Sequence, residues 1–324
     1  MPVLSIIANF PPSITLINYY RMKRKFQFLI YTGFIIICLM LSNGSIAQEK
    51  SIDQLVEEKL ASLSLEDKVG EMTQLAIDVL MEGQPYGVPE PQNFDPEKLQ
   101  NILVDLKVGS ILNVAGHAWS RDKWKEVIST IQDYAMNKKD SGIPVLYGID
   151  AIHGANYTLE STLFPQQLAQ AASWNLDLAK KIGEVTAYET RASGIPWNFS
   201  PVLDIGREFQ WSRLWETYGE DVHLASQMGV TYIKGLQGED ISNQLNVAAC
   251  MKHFLGYSGP KRGWDRTQAW IPERQLKEYY IPTFQAAIEA DAKTIMICSG
   301  EMNGIPVHAS PFLLWPLPLH IFGT

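Results

Sequence analysis

From Val108 onward the chain alternates short, largely apolar runs with longer amphipathic stretches. The runs Val108-Gly-Ser-Ile-Leu-Asn-Val114, Ile143-Pro-Val-Leu-Tyr-Gly-Ile149, Asn198-Phe-Ser-Pro-Val-Leu203, Val247-Ala-Ala-Cys-Met251 and Lys293-Thr-Ile-Met-Ile-Cys298 read as buried strands. Between them, 124–137, 169–191, 221–236 and 273–290 carry apolar residues at helical spacing. Upstream, Ile52, Leu55, Val56, Leu60 and Leu63 predict a helix over 51–63. Ser64-Leu-Glu-Asp67 resembles a capping box, with Asp in place of Glu, opening a further helix that the Pro- and Gly-rich loop 83–96 interrupts.

Repeated strand–helix units with apolar strands imply a parallel sheet covered by helices on both faces. Five such units are clear. A doubly wound open sheet satisfies the same count, but no glycine-rich phosphate loop follows the first strand, and polar residues gather after several different strands. That distribution favours an α/β fold of the (β/α)8, TIM-barrel-like kind.

The composition, 46% hydrophobic and 19% charged over 324 residues, is that of a globular chain with one large core. Its N-terminal part differs. Met22-Lys-Arg-Lys25, the apolar stretch 26–41 and Ser45-Ile-Ala47 stand in the order of a secretory signal, basic then apolar then small. The apolar stretch falls short of the ~20 residues that span a bilayer, so a retained anchor is the lesser reading and no stable membrane insertion is expected after cleavage. Bulky Ile37 before Cys38 argues against a lipid attachment site. A signal at 22–47 makes 1–21 an over-extended start, and places the mature protein outside the cytoplasm, in the periplasm or the extracellular space. The formal charge is −8, and residues 1–47 hold four cations and no acid, which leaves −12 without them. So acidic a body disfavours nucleic acid as a partner.

Asp150, Arg213, Lys252 and His253 are the candidate binding residues, because each follows an apolar run where a parallel barrel keeps its chemistry. Tyr147-Gly-Ile-Asp150-Ala-Ile-His153-Gly154 sets a carboxylate between glycines, able to accept two hydroxyl hydrogen bonds from a polyol or to brace its own loop. Residues 207–221 combine Arg207 and Arg213 with Trp211, Trp215, Tyr218 and four acids, a mixture suited to a sugar cleft. An internal arginine–carboxylate brace is the competing reading there, with Glu216 and Asp221 its first members. Lys252 and His253, being adjacent, both reach one pocket only if the strand stops there, which Gly256 and Gly259 make reasonable. No CxxC or HExxH spacing occurs and the six histidines are scattered, so neither a metal nor a cofactor is expected. Cys250 and Cys298 read as buried core residues.

Taken in order, Asp150-Ala-Ile-His-Gly, Phe164-Pro-Gln, Trp197-Asn-Phe-Ser-Pro-Val-Leu-Asp204, Arg213 with Trp215-Glu-Thr-Tyr-Gly-Glu-Asp221, Lys252-His-Phe and Asn303-Gly-Ile-Pro-Val-His308 resemble the N-terminal barrel of glycoside hydrolase family 3, the β-glucosidase group. The likeness runs from about Ser51 to Leu314. It implies a pocket for the terminal non-reducing sugar of a β-linked glucoside or oligosaccharide, with Asp150, Arg213, Lys252 and His253 on its hydroxyls. It also implies retaining hydrolysis by a carboxylate nucleophile on a late strand and an acid/base from a second domain, ~5–5.5 Å apart. The hexosaminidase branch of the family is disfavoured by Leu255 and Tyr257-Ser258, where that branch has Pro and His-Gly.

The pattern breaks near the end. The family continues into a strand ending in Ser-Asp-Trp or Thr-Asp-Trp, whose Asp is the nucleophile, whereas this chain reads Trp315-Pro-Leu-Pro-Leu-His-Ile-Phe-Gly-Thr324 and has no acid after Glu301. The sequence therefore divides into an export leader, a partial barrel domain over 48–314 and an aberrant tail over 315–324, with the nucleophile expected beyond Thr324. Two functions follow as expectations: a β-glucosidase-type hydrolase inactive in this form, or a non-catalytic sugar-binding or inert fragment of one. A barrel lacking its last strands is also expected to aggregate, through bare edges and exposed apolar faces.

Overall fold

The computed structural model describes residues 21–25, 27, 28, 32 and 50–314. Apart from those few positions, the expected start (1–21) and signal (22–47) lie outside the described residues, as does the tail 315–324. Two compact units divide the chain, Met1–Ser62 and Leu63–Thr324. The first contains helix α1 (Ile52–Ser62), with Lys50 and Glu58 paired at 2.6 Å.

The second unit opens as the capping box predicts. Ser64 Oγ accepts the Asp67 amide and the Asp67 carboxylate accepts the Ser64 amide, fixing the start of α2 (Leu65–Glu71). The predicted continuation of this helix to residue 83 is corrected: the chain leaves helix after Glu71 and forms a strand, β1 (Gln74–Ala76), whose three residues are too few to show a period. The remaining strands are β2 (Ser110–Leu112), β3 (Leu146–Ile149), β4 (Trp197–Asn198), β5 (Ala248–Phe254), β6 (Gln268–Ala269), β7 (Thr294–Ile297), β8 (Glu301–Met302) and β9 (Ile305–Pro306).

Six of these form one parallel sheet in the order β1-β2-β3-β4-β5-β7. Strand order follows chain order, as in a barrel wall, and the sheet curls as an incomplete (β/α)8 barrel with β1 and β7 at its two edges. Burial follows from that position. Central β5 is buried along nearly its whole length, whereas every residue of β1 and β7 is half-buried. A separate small sheet pairs β6 with β8 in parallel and β8 with β9 antiparallel.

Helices α3 (Arg121–Asp133), α4 (Leu176–Ala192), α5 (Val222–Gln237) and α6 (Ile281–Glu289) clothe the sheet. Trp124, Val127 and Ile131 of α3 pack with Ile111, Tyr147 and Ile149 in one core; Ile182, Met228, Tyr232 and Phe284 pack with Ala249 and Met251 in the other. α4 and α5 approach closely at Gly183 and Gly235, where an added Cβ would meet the Tyr232 or Lys180 carbonyl at 2.6 or 2.3 Å. The predicted helix 169–191 is in fact two, Gln167–Ala171 and α4, parted by Trp174 at φ 52° and by Asn175, whose side chain caps α4.

Candidate functional site

All four candidate residues lie at the C-terminal side of the sheet. Asp150 follows β3 directly, Lys252 and His253 belong to β5, and Arg213 sits in the loop after β4, opening the short helical turn Leu214–Glu216. Lys252 reaches past β4 to Asp150, with Nζ 2.5 Å from Oδ1. Lys252 is 2% exposed and the Asp150 side chain 30%, so the pair faces the open side through its carboxylate.

The strand does not end at Met251 as its sequence suggests. β5 runs on to Phe254, and its ladder with β7 pairs Lys252 with Met296 and Phe254 with Ile297, so that His253 is the extra residue of a bulge. A bulge re-aims a side chain without ending the strand, so the alternation that would send adjacent side chains to opposite faces is interrupted at His253. The Lys252–His253 and Phe254–Leu255 peptides on either side are cis. Asp204 then fixes the ring: its Oδ2 accepts the His253 backbone amide at 3.0 Å and lies 2.7 Å from Nδ1. A carboxylate only accepts, so Nδ1 carries the proton and Nε2 is left as an acceptor. Burial pushes the His253 pKa down against the pull of Asp204, and the positive charges of Lys252 and Arg213 add to that, which keeps the ring neutral.

Arg213 is held by both carboxylate oxygens of Glu216, at 2.7 and 2.6 Å, and donates to the Tyr257 hydroxyl at 3.2 Å. Burial opposes its charge, but Glu216 and Tyr257 outweigh it and the guanidinium stays protonated. Tyr257 in turn donates to Asp265 at 2.7 Å, as does Trp211 Nε1 at 3.1 Å, and the Tyr257 ring stacks edge-on with His253 at 4.6 Å. One continuous set of contacts thus runs from Glu216 through Arg213 and Tyr257 to His253, whose neighbour Lys252 holds Asp150.

The brace reading holds for part of the 207–221 segment. Glu216 grips Arg213, and Asp221 caps α5 by accepting the Leu224 amide at 2.7 Å. The aromatic reading is corrected for two of its three rings: Trp211 and Tyr218 are buried, at 2% exposure each, while Trp215 stands exposed. Their apolar surface is in the core cluster, where it packs against α5 and β5 residues.

Several positioning residues carried no sequence signal beyond being polar amid apolar neighbours. Asn198 on β4 grips both backbone groups of Ala151, each at 3.0 Å, directly beside Asp150. Gln132 of α3 does the same to Val145 ahead of β3, at 3.0 and 2.8 Å, and Gln167 to Val202 near Asp204, at 3.0 and 2.9 Å. A side-chain amide carries both an acceptor oxygen and donor N–H groups, so it satisfies both backbone groups of a residue that has left the sheet. Gly154 sits at φ 99° with the Thr162 carbonyl where a Cβ would be, fixing the loop behind Asp150.

Among the described residues no three His, Cys, Asp or Glu side chains gather as a metal site would require. Cys250 and Cys298 are free and buried, and burial pushes their thiols up to about 11 and about 12, which leaves them unreactive. No described helix is long and apolar enough to cross a membrane.

Residues 64–317 match the model of the glycosyl hydrolase family 3 N-terminal domain. The chain belongs to glycosyl hydrolase family 3. Over 272 residues it is 40% identical to the lysosomal beta glucosidase of Dictyostelium discoideum, covering 80% of this chain and 32% of that protein. It is 27% identical to the periplasmic beta-glucosidase of Salmonella typhimurium over 262 residues, 81% of this chain and 31% of the other. The crystal structure of an exo-1,3/1,4-beta-glucanase from a Pseudoalteromonas species superposes with a TM-score of 0.73 at 28% identity, covering 87% of this chain and 34% of that one. This family 3 chain therefore spans about a third of the length of the relatives it matches.

Proposed function

We propose that this chain is the sugar-holding part of a retaining β-glucosidase-type hydrolase, in which Asp150, Lys252, Arg213 and His253 bind the hydroxyls of a terminal β-linked glucosyl residue. The observation that supports this most is the Lys252–Asp150 pair, joined through His253 and Tyr257 to Arg213 at one mouth of the curled sheet. A carboxylate, a fixed neutral imidazole acceptor and two cationic donors are complementary to the mixed donor and acceptor character of sugar hydroxyls. Membership of a family whose named relatives include beta-glucosidases supports the substrate class.

As it stands, the chain binds without turnover. Retaining hydrolysis needs one free carboxylate nucleophile and a second, protonated carboxyl ~5–5.5 Å away. The site's acids are all engaged: Asp150 by Lys252, Asp204 by His253, Glu216 by Arg213, and Asp265 by Tyr257 and Trp211. Glu301, the last acid in the sequence, lies on β8 in the small separate sheet. Export is supported by the basic, apolar and small segments of 22–47 and by the periplasmic relative.

Calorimetric titration of the 324-residue chain with glucose tests the binding, and an aryl β-D-glucoside tests the turnover. The expected result is saturable glucose binding, lost in Asp150→Asn, with no release of the aryl alcohol. Measurable hydrolysis would overturn the inactive reading, and a chain blind to glucose would overturn the site.

A further inference from the structure

A groove of about 460 Å³ lies between α3 and the end of α4, within the roughly 300–1,000 Å³ of small-molecule sites. No strand residue lines it, and none of Asp150, Arg213, Lys252 or His253 does. Arg121 and Lys125 of α3 and Arg191 of α4 line it, with Asp122 as the single acid. A chain whose formal charge is −8 thus gathers three cations against one acid around one cavity.

Ion pairing does not account for the three. Their neighbours on the same helices are paired, Lys123 with Glu126 at 2.8 Å and Lys181 with Glu184 at 3.1 Å. Arg121, Lys125 and Arg191 make no ion pair among the described residues. Helix stability accounts only for Arg191, in the last turn of α4, where the dipole favours a cation. Arg121 stands in the first turn of α3, where the dipole favours an acid, and Lys125 follows one turn on along the same side.

Arg191 is also held in place. The Gly194 amide donates to its carbonyl at 2.8 Å, and its own Nε donates to the Gln244 carbonyl at 3.2 Å. A guanidinium has five N–H donors, so four remain on the two Nη atoms. A fixed fork of that kind matches an oxyanion through two parallel hydrogen bonds, and the two cations of the other wall complete its neutralisation. An anion there also relieves the unfavourable start of α3. Beside these charges lies the half-buried Ile128, packed over Gly194, where an added Cβ would come 3.3 Å from its Cγ2. An apolar surface next to a cationic one, in a groove roomier than a bare ion requires, suits an oxyanion that is carried on a sugar ring.

We propose that this groove binds a sulfate or phosphate monoester of a sugar, at a site separate from the Asp150 cluster. Arg191 takes two oxygens of the ester group, Arg121 and Lys125 balance its charge, and the sugar lies against Ile128.

Calorimetric titrations of the full chain with galactose 6-sulfate, galactose 6-phosphate and inorganic sulfate, all at one ionic strength, test this. The proteins are the parent, Arg191→Gln, the double variant Arg121→Gln/Lys125→Gln, and Asp150→Asn. Arg121 and Lys125 are exposed, so the double variant spares the fold. Both esters are expected to saturate the parent about tenfold tighter than inorganic sulfate, and each groove variant to weaken them about tenfold. Asp150→Asn is expected to leave their affinity unchanged. A parent that takes inorganic sulfate as tightly as the esters would overturn the sugar-ester class, and a parent that binds none of the three would overturn the groove as a site. Groove variants with parent affinity, or esters lost in Asp150→Asn alone, would place the esters at the Asp150 cluster and overturn the proposal as well.

Discussion

Lys252 closes on Asp150 at 2.5 Å across the width of β4, and the two ends of this ion pair are unequally buried. Removing one partner of a buried pair costs about 3–5 kcal/mol, and of an exposed pair about 0–1 kcal/mol. Asp150→Asn strands the ammonium, which is almost wholly buried, whereas Lys252→Met strands a carboxylate that water still reaches. Asp150→Asn is therefore expected to destabilise by about 3 kcal/mol and Lys252→Met by about 2 kcal/mol or less. Urea unfolding of both variants checks the order. A reversed order would mean that burial at the lysine end does not govern the pair.

His253 gives the site a pH dependence whose sign is set by its neutral, buried ring. Folding holds its pKa below the ordinary 6.5, so below that pH the unfolded chain binds a proton that the folded chain does not. Its contribution to stability is complete above about pH 6.5 and is lost as the pH falls through that value towards the lower folded pKa. The urea midpoint should drop between about pH 7.5 and about pH 5.5, and His253→Gln should flatten the drop. A parent and variant with parallel pH profiles would exclude His253 as the source.

Much of this arrangement was legible because parallel strands write themselves as apolar runs. Five of the six strands of the main sheet fell inside predicted runs or overlapped them, and the four candidate binding residues lie at or after their ends. β1 was not legible, because Gln74-Leu-Ala76 is short, lies at a sheet edge and continues the apolar pattern of α2. The continuation of β5 to Phe254 escaped for a different reason: a bulge breaks the two-residue alternation that sequence reading depends on. Asn198, Gln132 and Gln167 were silent because their role is to satisfy backbone groups, and sequence does not say which backbone groups leave the ladder. The aromatic residues of 207–221 misled, since Trp211 and Tyr218 have the composition of a cleft and the position of a core.

Tyr257 is the junction between the two halves of the site, touching the His253 ring, accepting from Arg213 and donating to Asp265. Tyr257→Phe keeps the ring and deletes both hydrogen bonds, at a stability cost of about 1–3 kcal/mol. Glu216 still holds Arg213 by two bonds, so the guanidinium stays in place but loses its link to the β5 side. Glucose affinity is expected to fall about tenfold, about 1.4 kcal/mol. An affinity unchanged in calorimetry would show that Arg213 is positioned by Glu216 alone.

The opposite end of the sheet provides the control. Lys139, its side chain fully buried, pairs with Glu71 at 2.6 Å between the end of α2 and the segment leading into β3, on the N-terminal side of the strands. In barrels of this kind that face serves stability and the other serves ligands. Lys139→Met leaves Glu71 largely buried without its cation, at a cost of about 3 kcal/mol. Unfolding should therefore shift to lower urea, while glucose affinity measured well below the new midpoint stays at the parent value. A variant that lost sugar affinity while still folded would show that the two faces are coupled through β3, which Gln132 and Asn198 pin at its two ends.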